Sequence, residues 1–282
     1  MINVLVTGGN GQLANCIKDL VVGIKGYNFI YVDIEDLDIT DELAVDRFFK
    51  LKKPAWCVNC AAYTAVDKAE TDFELAKNVN VNGPKYLARA SKKYKSKLIQ
   101  ISTDFVFDGI KGSTYTEEDP TNPISVYGST KLEGEQVTID GVDEHFILRT
   151  SWLYSEHGNN FMKTMLRLGS ERDELNVVGN QIGTPTYAGD LAVLIVKLIK
   201  DDAVAYGLYH FSNEGVASWY DFTMAIFDLA KVDCKVLPIN TDGYPTPAKR
   251  PSFSVMDKSK IKSTFNIEIP YWRDSLKQAL AK

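Results

Sequence analysis

In the stretch "YGSTK", Tyr127 and Lys131 put a phenol four residues ahead of an ammonium. On a helix these positions share one face. A free phenol, with a pKa of about 10, is a poor proton shuttle at neutral pH. A neighbouring ammonium favours the phenolate, lowers that pKa and eases proton exchange. The pair then suits a general acid. By itself the spacing fits equally an exposed tyrosine stacked on a lysine stem, so the elements around it have to decide.

A glycine loop points the same way. "VLVTGGNGQLA" carries Gly8, Gly11 and Ala14 as G-x-x-G-x-x-A. The glycines allow a tight turn and let backbone N–H groups approach a pyrophosphate at a helix N-terminus. Ala14 stands where a third glycine would ease helix–strand packing. A glycine cluster alone is often only a turn; its place after a first strand and before a helix makes it a dinucleotide loop. Asp33 ends the second expected strand, where an acid holds the adenosine ribose diol or, failing that, caps a turn.

The elements that must position these groups follow from the alternation of apolar runs. "NVLVTG", "NFIYVD", "AWCVNCAA", "KLIQIST" and "HFILRTSW" read as strands. Helical patterns lie between them, around "QLANCIKDLVVG", "DELAVDRFFKLKK", "FELAKNVNVNGPKYLARASKKY" and "KLEGEQVTID". Repeated β-α-β predicts an α/β fold: a doubly wound, Rossmann-type parallel sheet covered on both faces. After Trp152 the rhythm changes. Ser218 and Asp221 in "SWYD" form a capping box ahead of an apolar helix, and "PTPAKRP" is a proline-punctuated loop. We expect residues 1–152 to form the dinucleotide-binding core. Residues 153–282 form mainly a smaller substrate-binding lobe, with segments returning to the sheet.

Composition narrows the partners. The 282 residues carry 32 Lys+Arg against 37 Asp+Glu, with no basic block, which argues against nucleic acid. Apolar runs are short and broken by charge, so a membrane span is not expected. "MINVLVTGG" reads as a first strand and not as a signal peptide. "CVNC" has redox or zinc spacing, but in a strand Cys57 and Cys60 point to opposite faces. Free thiols then suggest a reducing cytoplasm. The histidines are scattered, no cluster has ligand spacing, and no metal is expected.

The glycine loop together with Y-x-x-x-K resembles the extended short-chain dehydrogenase/reductase superfamily. Further strings narrow it: "DLDITD", "CAAYTAVDKAE", "STDFVFDG", "YGSTKLEGE", "RTSWLY", "GNNFMKTM", "NQIGTPT" and "AKRPSFSVMD". In this order, over nearly the whole chain, they are similar to the dTDP-4-dehydrorhamnose reductase family. Ala14 for Gly, Phe105 for Tyr and Asn180 for Asp are departures that remove no reacting group.

The resemblance implies hydride transfer from NADH or NADPH to C4 of dTDP-4-dehydro-beta-L-rhamnose. It gives dTDP-beta-L-rhamnose for cell-surface polysaccharide. By resemblance Tyr127 is the general acid, and Lys131 lowers its pKa and holds the nicotinamide ribose. Thr103, otherwise a strand-end hydroxyl, donates to the ketone oxygen. Val66, Asp104 and Trp152 line the sugar; Asn160, Phe161 and Arg250 serve the nucleotide diphosphate, for which a guanidinium fork is suited. Gly8, Gly11, Gln12 and Leu13 match the pyrophosphate loop, and Asp38 and Ile39 the adenine rim. Ala61, Ala62 and Tyr63 match the edge of a fourth strand along the dinucleotide. Some members hold magnesium between subunits; Asn15 stands near one such carboxylate position, and that ion is not expected here. The acids in "YVDIED" would repel a 2′-phosphate, so NADH is slightly favoured. A monomer or homodimer is expected. The other readings are a reductase or epimerase of another nucleotide sugar, and a non-catalytic dinucleotide-binding regulatory subunit.

Overall fold

Strands buried on both faces need mostly apolar side chains, and the expected runs supply them, except that the edge run "NFIYVD" buries only Val32. The computed structural model describes residues 1–282. In chain order β1 (Ile2–Thr7), α1 (Gln12–Leu20), β2 (Tyr27–Val32), α2 (Glu42–Lys52) and β3 (Trp56–Asn59) come first. The short α3 (Val66–Ala69) and α4 (Phe73–Lys77) lead to α5 (Gly83–Tyr94), β4 (Lys97–Thr103), α6 (Val126–Gly141) and β5 (His145–Thr150). The strand Gly207–His210 returns to the same sheet beside β5.

The sheet has six strands in the order β2-β1-β3-β4-β5 and then Gly207–His210. Every pairing in it is parallel. Strand order reverses between β1 and β3, so a crevice opens outside their carboxyl ends, where α/β sheets bind ligands. One face is covered by α1 and the helix Ala188–Lys200, around Val4, Val6, Ile17 and Ile195. The other is covered by α2 and α5, around Leu5, Phe49, Leu87 and Leu98. Trp56 is 2% exposed and stacks on Phe146 at 6.1 Å. Burying such a side chain contributes about 1.5–3 kcal/mol. A separate core, with Met162, Phe222, Ile226 and Leu276, joins the helices Phe161–Glu171, Trp219–Ala230 and Trp272–Leu280.

Helix starts follow local chemistry. Asp41 accepts from Ala44 N ahead of α2, and Ser125 accepts from Gly128 N ahead of α6. The capping box is present: Ser218 and Asp221 each accept the other's backbone N–H. Each such cap contributes about 0.5–2 kcal/mol.

Two expectations change. The single helix through "FELAKNVNVNGPKYLARASKKY" contains a π-helical turn at Asn78–Asn82. The wider turn aims Asn80 inward, where Oδ1 accepts from Tyr63 N at 2.9 Å and Nδ2 donates to Tyr63 O at 3.1 Å. Secondly, Ala61, Ala62 and Tyr63 follow β3 and not a fourth strand, because the chain crosses to the far side of β1 straight after α2.

Candidate active site

The carboxyl ends of β1, β3, β4 and β5 open on one cleft of about 960 Å³. The cofactor candidates Gly8, Gly11, Gln12, Leu13, Asp33, Asp38, Ile39, Ala61, Ala62 and Tyr63 all line it. So do Val66, Thr103, Asp104, Tyr127, Lys131, Trp152, Phe161 and Arg250. Asn160 does not.

The glycine loop fits a dinucleotide. Gly8 has φ +62°, and a Cβ there would lie 2.7 Å from Ala61 N, so no other side chain is tolerated. The N-terminus of α1 has no side-chain cap and no acid in its first turn. Its amides are free for an anion such as a pyrophosphate. Asn15 closes the loop by donating to Asn10 O and Gly11 O. Ala14 is fully buried in the sheet's core, so its methyl is accommodated. Asp33 accepts from Asn10 N at 2.8 Å and Ile34 N at 2.9 Å, which ties the end of β2 to the loop. Asp38 accepts from Thr40 N and Oγ1.

At the other end of the cleft, Thr103 ends β4 and is 5% exposed. Its hydroxyl donates to Asp104 Oδ1 and accepts from Phe105 N, each at 3.2 Å. Asp104 is 2% exposed, and burial pushes its carboxyl up to about 6. Its Oδ2 is buried without a hydrogen-bond partner, and the Ser254 and Thr103 hydroxyls oppose the effect of burial. The Phe105 ring packs edge-on against Tyr127, with centroids 5.5 Å apart.

The expected lowering of the phenol by the ammonium does not hold. Burial pushes Tyr127 up to about 12, against a smaller downward pull from the Thr103 hydroxyl. The reason is where the lysine points: Lys131 Nζ donates to Ile101 O at 2.6 Å, toward β4. Burial also holds Lys131 down to about 8, and the charge of Glu135 opposes this. A phenol that stays protonated is a proton donor, as a reduction requires.

Beneath these groups lies an ion pair that the motif reading did not single out. Arg149 on β5 donates from Nε to Glu135 Oε1 at 2.9 Å and from Nη2 to Oε2 at 2.7 Å. Ser102 adds a bond to the same carboxylate. A charged residue inside a fully buried strand was the available signal, since it needs a partner.

Trp152 adopts φ +46°, and its indole stacks on Trp219 at 3.5 Å and 7°. Trp219 also lines the cleft. It begins the capped helix, and nothing in its local sequence showed its contact. Arg250 reaches the cleft, but its fork is already engaged: Nη1 and Nη2 donate to Asp67 at 3.0 and 2.8 Å. Asn160 is drawn away because it caps a helix: Oδ1 accepts from Lys163 N, while Nδ2 donates to Gln12 Oε1 and Ser155 O. Cys57 is buried in β3, Cys60 lies past its end, and both are free thiols.

Sequence spacing gave no ligand cluster, yet the fold brings donor atoms of Cys16, Glu156 and His157 within 4.8 Å of one another. Glu156 pairs with Lys282 and His157 with Asp19, and burial pushes the Cys16 thiol up to about 12. No helix is long and apolar enough to cross a membrane.

Residues 2–282 match the family model described as RmlD substrate binding domain. The chain is 44% identical over 292 residues to the dTDP-4-dehydrorhamnose reductase of Aggregatibacter actinomycetemcomitans, covering 100% of this chain and 99% of that protein. The crystal structure of a dTDP-4-dehydrorhamnose reductase from Clostridium acetobutylicum superposes with a TM-score of 0.96 at 45% identity, over 99% of each chain. That of the dTDP-4-dehydrorhamnose reductase from Bacillus anthracis, solved in complex with NADP, has a TM-score of 0.96 at 39% identity. It covers 100% of this chain and 99% of its own.

Proposed function

The chain belongs to the dTDP-4-dehydrorhamnose reductase family, and we propose that it reduces the C4 ketone of dTDP-4-dehydro-beta-L-rhamnose to dTDP-beta-L-rhamnose. The observation that carries this is the convergence of Thr103, Tyr127 and Lys131 in one cleft with the glycine loop. Bound NADPH or NADH supplies the hydride that forms the new C4–H bond.

The chain's own groups manage the oxygen. As the C=O bond becomes a C–O⁻, Thr103 Oγ1 donates a hydrogen bond to it and steadies the charge. Tyr127, protonated at neutral pH, gives its proton to that oxygen and becomes a phenolate. Lys131 is an ammonium below about pH 8 and holds the nicotinamide ribose, while solvent reprotonates the phenolate. Asp104, which lines the cleft, accepts from a sugar hydroxyl.

Gly8, Gly11, Gln12 and Leu13 hold the pyrophosphate of the dinucleotide, and residues from 153 onward contribute mainly to the nucleotide-sugar side. NADH and NADPH both serve, with Asp33 at the end of β2 favouring the free 2′-hydroxyl of NADH. Four free thiols support a reducing cytoplasm as the setting.

The test is oxidation of each dinucleotide, followed by absorbance, with freshly generated dTDP-4-dehydro-L-rhamnose. Turnover with that sugar and not with a UDP-linked 4-keto sugar supports the proposal. Tight dinucleotide binding without turnover would favour a regulatory subunit instead.

A further inference from the structure

Trp152 holds a backbone conformation, φ +46°, that bulky residues rarely adopt. Something must hold its indole there. On one side Gly183 leaves the space: a Cβ at that position would lie 2.7 Å from Trp152 Cε2. The other support is Trp219, whose ring lies 3.5 Å from that of Trp152 and nearly parallel to it, at 7°. Trp219 is itself fixed. Its Nε1 donates to Gln181 Oε1 at 3.2 Å, and Ser218 and Asp221 cap the helix it begins. Phe161 packs on its far side with centroids 4.5 Å apart. Trp152, Phe161 and Trp219 all line the cleft. Trp219 is distant in sequence from Trp152 and Phe161, so the wall exists only in the folded chain.

We propose that Trp219 is a positioning residue for the reduction: by stacking on Trp152 it fixes the edge of that indole where it lines the cleft beside the sugar ring of the nucleotide sugar. A wall locked before binding orients the ketone without ordering a mobile side chain afterwards. This inference rests on the proposed keto-sugar reduction.

The experiment compares the parent with Trp219→Ala, Trp219→Phe and Gly183→Ala. It measures KM for dTDP-4-dehydro-L-rhamnose, KM for the dinucleotide, thermal melting and far-ultraviolet circular dichroism. Stacked indoles give a coupled dichroism couplet, which must vanish in Trp219→Ala and also in Trp152→Phe. Trp219→Ala should raise the sugar KM about tenfold, the scale set by one aromatic pair, with the dinucleotide KM unchanged. Trp219→Phe keeps a stacking ring and should bring the sugar KM back to within about threefold of the parent. Gly183→Ala displaces the Trp152 indole from the opposite support and should raise the sugar KM with Trp219 intact.

An unchanged sugar KM in Trp219→Ala, with the couplet lost, would overturn the inference alone. An equal rise in both KM values with a lowered melting temperature would mean general damage and would also overturn it. A parent that fails to oxidise either dinucleotide with the keto sugar refutes the proposed function and this inference together.

Discussion

Replacing Glu135 by Gln removes one negative charge beneath the site and leaves the shape nearly unchanged. Glu135 is 2% exposed and Arg149 3%, so the guanidinium would be left with an uncompensated buried charge. Breaking a buried pair in this way costs about 3–5 kcal/mol. At about 2–4 °C per kcal/mol for a domain of this general size, the melting temperature should fall by about 6–20 °C. The same change reaches the chemistry. Lys131 lies one turn before Glu135 on α6, and burial holds its pKa down to about 8 while the Glu135 charge holds it up. Removing that charge lowers the lysine further. Its ammonium exists below its pKa and is lost above it, so the alkaline limb of kcat/KM should move to lower pH. The assay is kcat/KM for the keto sugar across neutrality, with thermal melting of the same samples. A Glu135→Leu, Arg149→Met double variant removes both charges. It should recover most of the melting temperature but not the alkaline limb. A parental melting temperature with an unmoved limb in Glu135→Gln would refute the reasoning.

Tyr127→Phe removes the proton donor. Turnover should fall by about 10²–10⁴-fold with dinucleotide affinity unchanged in a fluorescence titration, and near-parental turnover would contradict the assignment. Gly128→Ala places a methyl 2.2 Å from Phe105 O, so α6 must shift. We expect a loss of about 1–3 kcal/mol in chemical denaturation and a lower kcat as Tyr127 moves with the helix. Asp33→Asn removes the anion at the end of β2, and kcat/KM for NADH should fall relative to that for NADPH. An unchanged ratio would show that Asp33 serves only the loop, through Asn10 and Ile34.

The layered α/β fold was legible because its signals are local. The glycine loop follows β1, each apolar run has strand length, and Ser218 and Asp221 announce a helix start. Residues that chemistry ties to a fixed spacing, such as Tyr127 and Lys131, were legible for the same reason. What escaped depends on contacts between distant segments. The fork of Arg250 suits a diphosphate, yet Asp67 occupies it from far along the chain. Trp219 meets Trp152 only after the C-terminal helices pack. The π-helical turn at Asn78–Asn82 forms because Asn80 can satisfy the Tyr63 backbone, which helix propensity alone does not encode. Asn160 belongs to a quoted motif, but its amide is spent on a helix cap and on Gln12. Burial raises the Tyr127 phenol and Lys131 turns to Ile101 O, neither of which a five-residue string contains.

The central claim is that a hydride reaches C4 of the keto sugar under the Tyr127 proton donor. Dinucleotide carrying deuterium at C4 of the nicotinamide, prepared separately on each face, tests this directly with dTDP-4-dehydro-L-rhamnose. Mass spectrometry and proton NMR of the product should find deuterium at C4 of dTDP-beta-L-rhamnose from one face only, with the C4 proton resonance lost. Deuterium left on the nicotinamide from both faces, or found at another sugar carbon, would contradict the account.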